Sequence, residues 1–344
     1  MELRKDPITR SWVIVGHRGD TCETTGGCPF CPQKTNSRNA LLRLPAQDPS
    51  QVTVFPHPDP LYRVEGDPER RADGIYDQMQ PVGADEIVIE TPEHNRKLED
   101  LTDDQILLVT QAWGQRVEDL KRDRRFKYVS IYKNYGPLAG QEGSHAHSQI
   151  TATTFVPRRV LYELRAAREW FKEKERCVFC DIVKQEERQG KRIVDTQGDY
   201  VALCPYASRV PYEVWILDRR HNYMFEQPRP GANRKHVATL LRRILRRIRQ
   251  VAPAYHLVVH TAPNTIHPKG ETASQYWKTI ADDYHWHIEI LPIVETRSKS
   301  YSIKEVYYNA IMPDEAADRL RKLDPIASGA ENTAAFSSAC CSFC

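Results

Sequence analysis

The chain has 344 residues, 40% of them hydrophobic and 28% charged, a composition that indicates a folded protein with room for two domains. Its 49 basic and 46 acidic side chains leave a net charge of +3, which argues against a surface built to bind a polyanion. A charged beginning at residues 1–6 and the lack of a long apolar run argue against a secretory signal and a membrane anchor. Nine cysteines, with two internal Cys-x-x-Cys pairs, favour thiolate metal ligands in a reducing cytoplasm over disulfides.

The first half predicts short strands and one long helix. Runs of β-prone residues lie at 12–15, 52–55, 86–90 and 128–132. Thr102 and Gln105 form a capping-box pattern, and apolar residues follow at helical spacing as far as Leu120. The remaining stretch up to about residue 84 is polar and rich in proline, so we expect little regular structure there beyond residues 52–55.

The second half repeats the landmarks of the first in the same order. Each half has a Cys-x-x-Cys pair, a strand closed by a histidine, an amphipathic helix, a further strand and a His-x-His pair. In the second half these are Cys177 and Cys180, the strand 213–217 with His221, the helix 237–248, the strand 255–260, and His285 with His287. The recurrence predicts two copies of one α+β unit, at residues 1–157 and 158–325, followed by a disordered tail at 326–344.

The His-x-His pair of the first half is the candidate for chemistry. On a strand, His145 and His147 would project from the same face, and Gln149 would follow them there. One imidazole of such a pair can hold a metal ion or the backbone while its neighbour stays free as a nucleophile. The amide of Gln149 could donate a hydrogen bond to an oxyanion.

Two metal sites follow from the repeat. Each half offers two thiolates and two imidazoles, which is the ligand preference of tetrahedral zinc. The predicted sets are Cys28, Cys31, His94 and His145 in the first half, and Cys177, Cys180, His221 and His285 in the second. Since protein ligands fill all four positions of each ion, both ions are expected to be structural.

The two halves differ in the residue that follows the second histidine. The first half offers His147 with Gln149, whereas the second offers His287 with Glu289. A carboxylate would repel phosphate oxygens that an amide would stabilise. We therefore predict that His147 is the nucleophile and that the second copy is structural.

These residues resemble a known family. The chain is similar to galactose-1-phosphate uridylyltransferase and to its relative ADP-glucose phosphorylase, duplicated members of the histidine triad superfamily. The resemblance extends from residue 4 to residue 317, and its specific motifs are Cys28-x-x-Cys31, Glu86-Ile87-Val88-Ile89-Glu90-Thr91-Pro92-x-His94, Asn134-x-Gly136 and His145-x-His147-x-Gln149. It implies an α+β fold of two tandem histidine-triad-like domains, each an antiparallel half-barrel sheet with packed helices.

The resemblance also implies a function in carbohydrate metabolism, specifically that of galactose. A nucleoside monophosphate would pass from a nucleotide sugar to a sugar 1-phosphate through a nucleotidyl adduct on His147. Gln149 would hold a phosphoryl oxygen, and the substrate would be bound by Arg18, Asn134, Gly136, Gly143 and Ser144. Hydrolytic histidine triad proteins carry a third histidine where this chain has Gln149, which favours transfer over hydrolysis. The chain could also form a homodimer.

Two alternative functions remain. The form Ser144-His145-x-His147-Ser148-Gln149 and the second Cys-x-x-Cys look more like ADP-glucose phosphorylase, an adenylyltransferase that uses phosphate as acceptor. A non-catalytic nucleotide- or zinc-binding protein of the same fold is the other alternative. It is prompted by Glu142, where the family has a small residue beside the pyrophosphate.

Other departures concern the base and sugar pockets. His57 and Asp59 stand where the family has an asparagine and an aromatic residue, and the second arginine that usually follows Arg18 is absent. The sugar loop is replaced by residues 302–308. The base, the sugar and the direction of the reaction are therefore left open.

A second ligand set competes at the second His-x-His pair. Glu163, His260, His285 and His287 resemble the iron site of some uridylyltransferases. Both sets need His285, and two thiolates bind zinc far better than they would serve as idle neighbours of iron. We therefore predict two zinc ions per chain, with Glu163, His260 and His287 as supporting or packing residues.

Nucleic-acid binding is the interpretation that the basic helix invites. Its arginines, Arg242, Arg243, Arg246, Arg247 and Arg249, are read instead as a solvated helix face because the whole chain is nearly neutral. The cysteines of the tail, at 340–344, do not match a usual prenylation motif and are read as part of a mobile end.

Overall fold

The computed structural model describes residues 1–16, 28, 30–31, 40–46, 51–265, 277–294 and 306–325. Fourteen strands occur in these ranges: β1 (Glu2–Lys5), β2 (Trp12–Val15), β3 (Leu42–Leu44), β4 (Val52–Pro56), β5 (Arg71–Asp73), β6 (Tyr76–Met79), β7 (Gly83–Ile89), β8 (Tyr128–Tyr135), β9 (His147–Thr153), β10 (Ile193–Gln197), β11 (Tyr200–Leu203), β12 (Val214–Asp218), β13 (Ala254–His260) and β14 (His287–Ile293). The α-helices are α1 (Asp103–Leu120), α2 (Arg158–Lys174), α3 (Val178–Gln189), α4 (Arg234–Val251), α5 (Ile280–Asp283) and α6 (Pro313–Lys322).

One antiparallel sheet of ten strands runs through both halves of the chain, in the order β10-β11-β12-β14-β13-β8-β9-β7-β4-β3. The order β3-β4-β7-β9-β8 in the first half matches β10-β11-β12-β14-β13 in the second, strand for strand. The halves join where β8 pairs with β13, with Tyr132 opposite Val258. The predicted α+β class and the predicted repeat are confirmed, and the two copies share one sheet.

The strand register equates individual residues of the two copies. Ile89 pairs with His147, and Leu217 pairs with His287 at the corresponding point of the second half. By the same register, Gln149 lies opposite Ile87 as Glu289 lies opposite Trp215. Positions that matter chemically in one half can therefore be located in the other.

Helices α1 and α4 pack on one face of the sheet because their apolar stripes face inward. Thr102 caps α1 and forms the predicted box with Gln105, and Trp113 of α1 is fully buried and donates from Nε1 to Ser148 Oγ at 2.7 Å. The stripe of α4 is also buried, with Leu241 and Ile244 at its centre. The opposite face is covered in the second half by α2 and α3, which pack around Phe179 and Leu217.

The arginines of α4 do not form the solvated face that the sequence analysis assigned to them. Arg242 binds Asp103 at 3.1 Å and Arg249 binds Glu99 at 2.8 Å. Arg243 and Arg247 both bind Asp195, at 2.8 and 2.5 Å. These side chains therefore connect α4 to neighbouring elements of the same chain.

The polar stretch before residue 84 is more regular than the sequence predicts. It contains β5 and β6, which extend a separate four-stranded sheet of order β2-β1-β6-β5. Exposed polar strands of this kind lack the alternation that identifies half-buried strands in a sequence. Among the described residues, no helix is both long enough and apolar enough to cross a membrane. The predicted disordered tail at 326–344 lies outside the described residues.

Candidate active site and metal centres

His147 is the first residue of β9 and is 4% exposed. Its Nδ1 lies 2.8 Å from the carbonyl oxygen of His145 and so carries the proton and donates it. Nε2 then keeps its lone pair, which is the form that a nucleophile requires. Burial, with a further contribution from Lys133, lowers the pKa of His147 to about 4, so the imidazole is neutral at physiological pH.

The sequence predicts that His145 and His147 share one strand, but in the structure His145 lies outside the strand that carries His147. It lies in the bend before β9, and its ring is directed toward the Cys-x-x-Cys pair. The alternation rule does not apply before the strand begins, so the two rings serve different sites. Gln149 lies on β9 two residues beyond His147, opposite Tyr132, and shares the face of the sheet with His147.

A buried ion pair that the sequence analysis missed supports the strand that carries His147. Lys133 Nζ donates to the carbonyl oxygen of His147 at 2.9 Å and to Glu90 at 2.7 Å. Both side chains are no more than 2% exposed. The available signal was the position of Lys133 on β8, where its side chain shares the apolar face of the strand with Ile131.

The ring of Phe30 covers His147, at 4.9 Å between ring centroids. Phe30 lies between Cys28 and Cys31, so the segment that carries these two candidate ligands also places an apolar lid on the candidate nucleophile. The same contact recurs in the second half, where Phe179 stacks on His287 at 5.0 Å.

The first predicted ligand set comes together. Potential ligand atoms of Cys28, Cys31, His94 and His145 all lie within 4.8 Å of one another. Cys31 Sγ lies 3.3 Å from Nδ1 of His94 and 3.6 Å from Nδ1 of His145. The Nε2 atom of His145 donates to the carbonyl oxygen of Thr91 at 2.7 Å, which leaves Nδ1 as its metal-binding nitrogen.

The second predicted set comes together in the same way, from Cys177, Cys180, His221 and His285. Cys180 Sγ lies 3.5 Å from His221 Nδ1 and 3.6 Å from His285 Nδ1. The hydrogen bond from Cys177, aided by the two imidazoles, lowers the pKa of Cys180 and favours the thiolate. The two thiolates and two imidazoles of each set fit a tetrahedral zinc ion.

The competing iron set comes together only in part, because three of its members lie within 4.8 Å of one another but His285 is not among them. His285 faces the cysteines, and Glu289 takes its place in a buried group with Glu163, His260 and His287. The rings of His260 and His287 stack in parallel, at 4.6 Å and 4°. Imidazole lone pairs lie in the ring plane, so two parallel rings cannot both direct one at the same ion.

Carboxylates and cations balance this third group from within. His260 lies 3.0 Å from Glu163 and 3.3 Å from Glu289, and Arg209 lies 2.8 Å from Glu289. The two carboxylates raise the pKa of His260 to about 9 against the opposing effect of burial. The ring nitrogens of His260 and the carboxylate oxygens of Glu163 make these ion-pair contacts but no hydrogen bonds to any described residue.

Glu142 lies in the predicted phosphate loop beside His57. The Asp59 backbone N–H donates to His57 Nδ1 at 3.1 Å, so His57 carries its proton on Nε2, 3.3 Å from the Glu142 carboxylate. The carboxylate therefore receives a hydrogen bond from the imidazole. Its negative charge still faces the loop, and this remains the main departure from the family pattern.

The remaining predicted substrate residues fall in different settings. Asn134 Oδ1 accepts from His256 Nδ1 at 2.9 Å across the junction of β8 and β13. Gly136 has φ +86°, and a Cβ there would lie 2.9 Å from both Ala254 Cβ and the Pro253 carbonyl oxygen. Its N–H donates to Gln141 Oε1 at 2.7 Å and is therefore already engaged.

Two further loop residues and Arg18 complete the set. Gly143 has φ +70°, a conformation that glycine adopts without strain. Ser144 Oγ lies 2.9 Å from His94 Nε2, so in this structure its hydroxyl faces the first metal cluster. Arg18 lies outside the described residues.

The fold and this site define a class: a duplicated α+β protein with one histidine available for nucleophilic chemistry and a Cys/His cluster in each half. The family model described as "Galactose-1-phosphate uridyl transferase, N-terminal domain" matches residues 22–157. The Thermotoga maritima galactose-1-phosphate uridylyltransferase is 27% identical over 337 residues, which cover 94% of this chain and 99% of that protein. The Arabidopsis thaliana ADP-glucose phosphorylase is 26% identical over 341 residues, covering 94% and 93%.

Solved structures agree. A uridylyltransferase structure superposes with a TM-score of 0.76 at 27% identity, covering 93% of this chain and 97% of that one. The Arabidopsis thaliana ADP-glucose phosphorylase with bound ADP-glucose gives 0.72 at 23% identity, covering 94% and 100%, and supports the fold alone. The resemblance to the galactose-1-phosphate uridylyltransferase family, with features of ADP-glucose phosphorylase, is confirmed.

Proposed function

We propose that this chain is a nucleotidyltransferase that moves a nucleoside monophosphate between a nucleotide sugar and a sugar 1-phosphate. The observation that carries the proposal is the state of His147. Its Nδ1 is held by the His145 carbonyl, and burial keeps the ring neutral, so Nε2 is a prepared nucleophile. Relatives named galactose-1-phosphate uridylyltransferase and ADP-glucose phosphorylase support the same class of reaction.

The reaction would proceed in two displacements. His147 Nε2 attacks the α-phosphorus, a nitrogen–phosphorus bond forms, and the bond from phosphorus to the bridging oxygen breaks to release sugar 1-phosphate. A phosphate oxygen of the second sugar 1-phosphate then attacks the same phosphorus and releases His147. Gln149 donates its amide N–H to a non-bridging oxygen in both steps, while the His145 carbonyl stabilises the charge that develops on the imidazole.

Adenylyl transfer to inorganic phosphate is the second candidate. The complete second Cys/His cluster, in a chain similar to an ADP-glucose phosphorylase over 94% of its length, favours this candidate. The two reactions share the first step and differ in the base and in the acceptor. Glu142 beside His57 motivates the remaining alternative, a protein that binds nucleotide without reacting.

Each Cys/His cluster would hold one zinc ion as a structural element. In the first half the ion would fix His145, whose backbone carbonyl orients His147, so zinc would act on the chemistry only through the position of the nucleophile. Thiolate ligands of this kind need a reducing compartment, which supports a cytoplasmic enzyme. Arg18, Asn134, Gly136, Gly143 and Ser144 remain the residues proposed to line the phosphate and ribose site.

The decisive experiment is a search for the covalent intermediate. The protein is incubated with UDP-glucose, UDP-galactose and ADP-glucose, each labelled at the α-phosphorus, and the label retained after denaturation is measured. We expect an acid-labile adduct with one base, located at His147 by peptide mapping.

The matched variants are His147→Ala, which should lose both adduct and exchange, and His287→Ala, which should keep the adduct if it folds. Adding either sugar 1-phosphate or inorganic phosphate to the isolated adduct then identifies the acceptor. Absence of any adduct with all three nucleotide sugars would favour the non-catalytic alternative.

A further inference from the structure

A groove of about 1000 Å³ opens on the second half of the chain. Its walls are the outer side of α3, the end of α2, and the loop that follows β11, and its floor includes Trp215 of β12. A volume of this size accommodates a nucleotide or a similar small ligand.

The walls carry a net positive charge, and some of their cations have no ion-pair partner among the described residues. Five cationic and two acidic side chains line the groove. The two acids are already engaged, since Asp181 binds Arg176 at 3.0 Å and Glu186 binds Arg192 at 2.9 Å. The other three cations, Lys184, Arg188 and Lys191, are exposed and have no ion-pair partner within the described part of the chain.

Aromatic side chains line the same groove. Tyr206 is 79% exposed, a high value for a tyrosine, and the Arg192 guanidinium supports its ring from 5.2 Å. Trp170 is also exposed, and Trp215 is partly exposed on the floor. Aromatic faces for a base together with free cations for a phosphate are the two elements of nucleotide recognition.

The repeat relates the position of the groove to that of the candidate active site in the first half. By strand register, Trp215 is the counterpart of Ile87, the neighbour of Gln149 in the candidate active site. The groove therefore occupies, on the second half, the side of the sheet where nucleotide is proposed to bind on the first. The corresponding histidine does not line the groove: His287 is 1% exposed and is covered by Phe179 and Trp215 at 5.0 and 5.4 Å.

We propose that this groove is a second, non-covalent binding site for a nucleoside phosphate. The base packs against Tyr206 and Trp215, and the phosphate is bound by Lys184, Arg188 and Lys191. The cations and the aromatic rings line the same groove, and its volume of about 1000 Å³ fits one nucleotide, so the occupant is a mononucleotide. The inference does not depend on the reaction at His147.

The test counts sites on the full-length protein with UMP and AMP. Neither nucleotide has a phosphoryl leaving group, so neither can label His147. Equilibrium dialysis should give two sites per chain for at least one of them. The double variant Lys184→Ala/Lys191→Ala and the single variant Tyr206→Ala should each weaken one site by roughly tenfold or more and leave the other unchanged.

The control variant is Lys172→Ala/Lys174→Ala, which removes two exposed lysines of α2 that do not line the groove. It should retain both sites. In all groove variants the exchange activity at low substrate concentration should also be unchanged. Nucleotide binding that is unchanged in both groove variants overturns the inference, whereas a single wild-type site that these variants weaken supports it.

Two competitors identify the ligand class. Inorganic phosphate that displaces the nucleotide at equal concentration would overturn the role of the aromatic rings. A short RNA that binds the groove while UMP and AMP do not would overturn the assignment to a mononucleotide. If neither inorganic phosphate nor the RNA displaces the nucleotide at equal concentration, the assignment to a mononucleotide is supported.

Discussion

Phe30 packs on His147 with ring centroids 4.9 Å apart and ring planes tilted by 50°, while Cys28 and Cys31 on either side of it belong to the first Cys/His cluster. The loop that holds the metal ligands therefore also excludes water from the candidate nucleophile. The same arrangement in the second half, with Phe179 on His287, indicates that this coupling belongs to the duplicated unit.

Removing the aromatic lid should change how activity depends on pH. In the wild-type protein burial is the largest cause that lowers the pKa of His147 to about 4, so the neutral nucleophile persists until the pH approaches that value. In Phe30→Ala water reaches the ring, and the pKa should rise toward its ordinary value of 6.5. The acid limb of the exchange profile should move upward with it.

The measurement is the rate of sugar-phosphate exchange from about pH 3 to about pH 8.5, with Phe179→Ala as the matched control in the second half. We expect the control to keep the wild-type acid limb. An unshifted limb in Phe30→Ala would show that the lid does not set the protonation of His147.

The buried pair of Lys133 and Glu90 should be costly to break. Lys133→Met leaves Glu90 buried without its cation and removes the hydrogen bond to the His147 carbonyl. Loss of one partner of a buried pair destabilises a protein by about 3–5 kcal/mol. Urea denaturation should show this loss, and the double variant Lys133→Met/Glu90→Leu should recover part of it. Lys235→Met, which breaks the exposed pair with Asp104, serves as the control and should have little effect.

Gln149 should decide between transfer and hydrolysis. Gln149→His recreates the third histidine of the hydrolytic histidine triad proteins, so more of the nucleotidyl adduct should be released to water. Free nucleotide and transferred nucleotide are measured together at one concentration of sugar 1-phosphate. Gln149→Asn, which keeps the amide but shortens its reach, should lower the rate without shifting the partition. An unchanged partition in Gln149→His would refute the role given to this residue.

The two clusters should each account for one zinc ion. Metal analysis of the purified protein should give two zinc ions per chain, and Cys177→Ser should give about one with a less stable second half. His260→Ala should keep both ions, because His260 stacks on His287 outside the cysteine cluster. Retention of both ions in Cys177→Ser, or loss of one in His260→Ala, would show that the second ion lies in the group around Glu163.

The sequence predicts those parts of the site that depend on local spacing or on the repeat. Cys-x-x-Cys pairs and the histidines after the strands recur at matching positions, so both ligand sets could be assembled without a structure. The role of Lys133 could not, since a charged residue on an apolar strand face is explained only by the Glu90 that tertiary packing brings beside it. His285 illustrates another limit: it lies before β14, so strand alternation does not determine where its ring points.

The junction of β8 and β13 has a consequence for how the two copies depend on each other. Either copy alone would expose the hydrogen-bonding edge of β8 or β13 to water. An exposed edge of this kind can pair with an exposed strand of another molecule. We therefore expect the halves on either side of the boundary proposed at residues 157 and 158 to unfold together. Each half thus closes the open strand edge of the other, whichever half carries the chemistry.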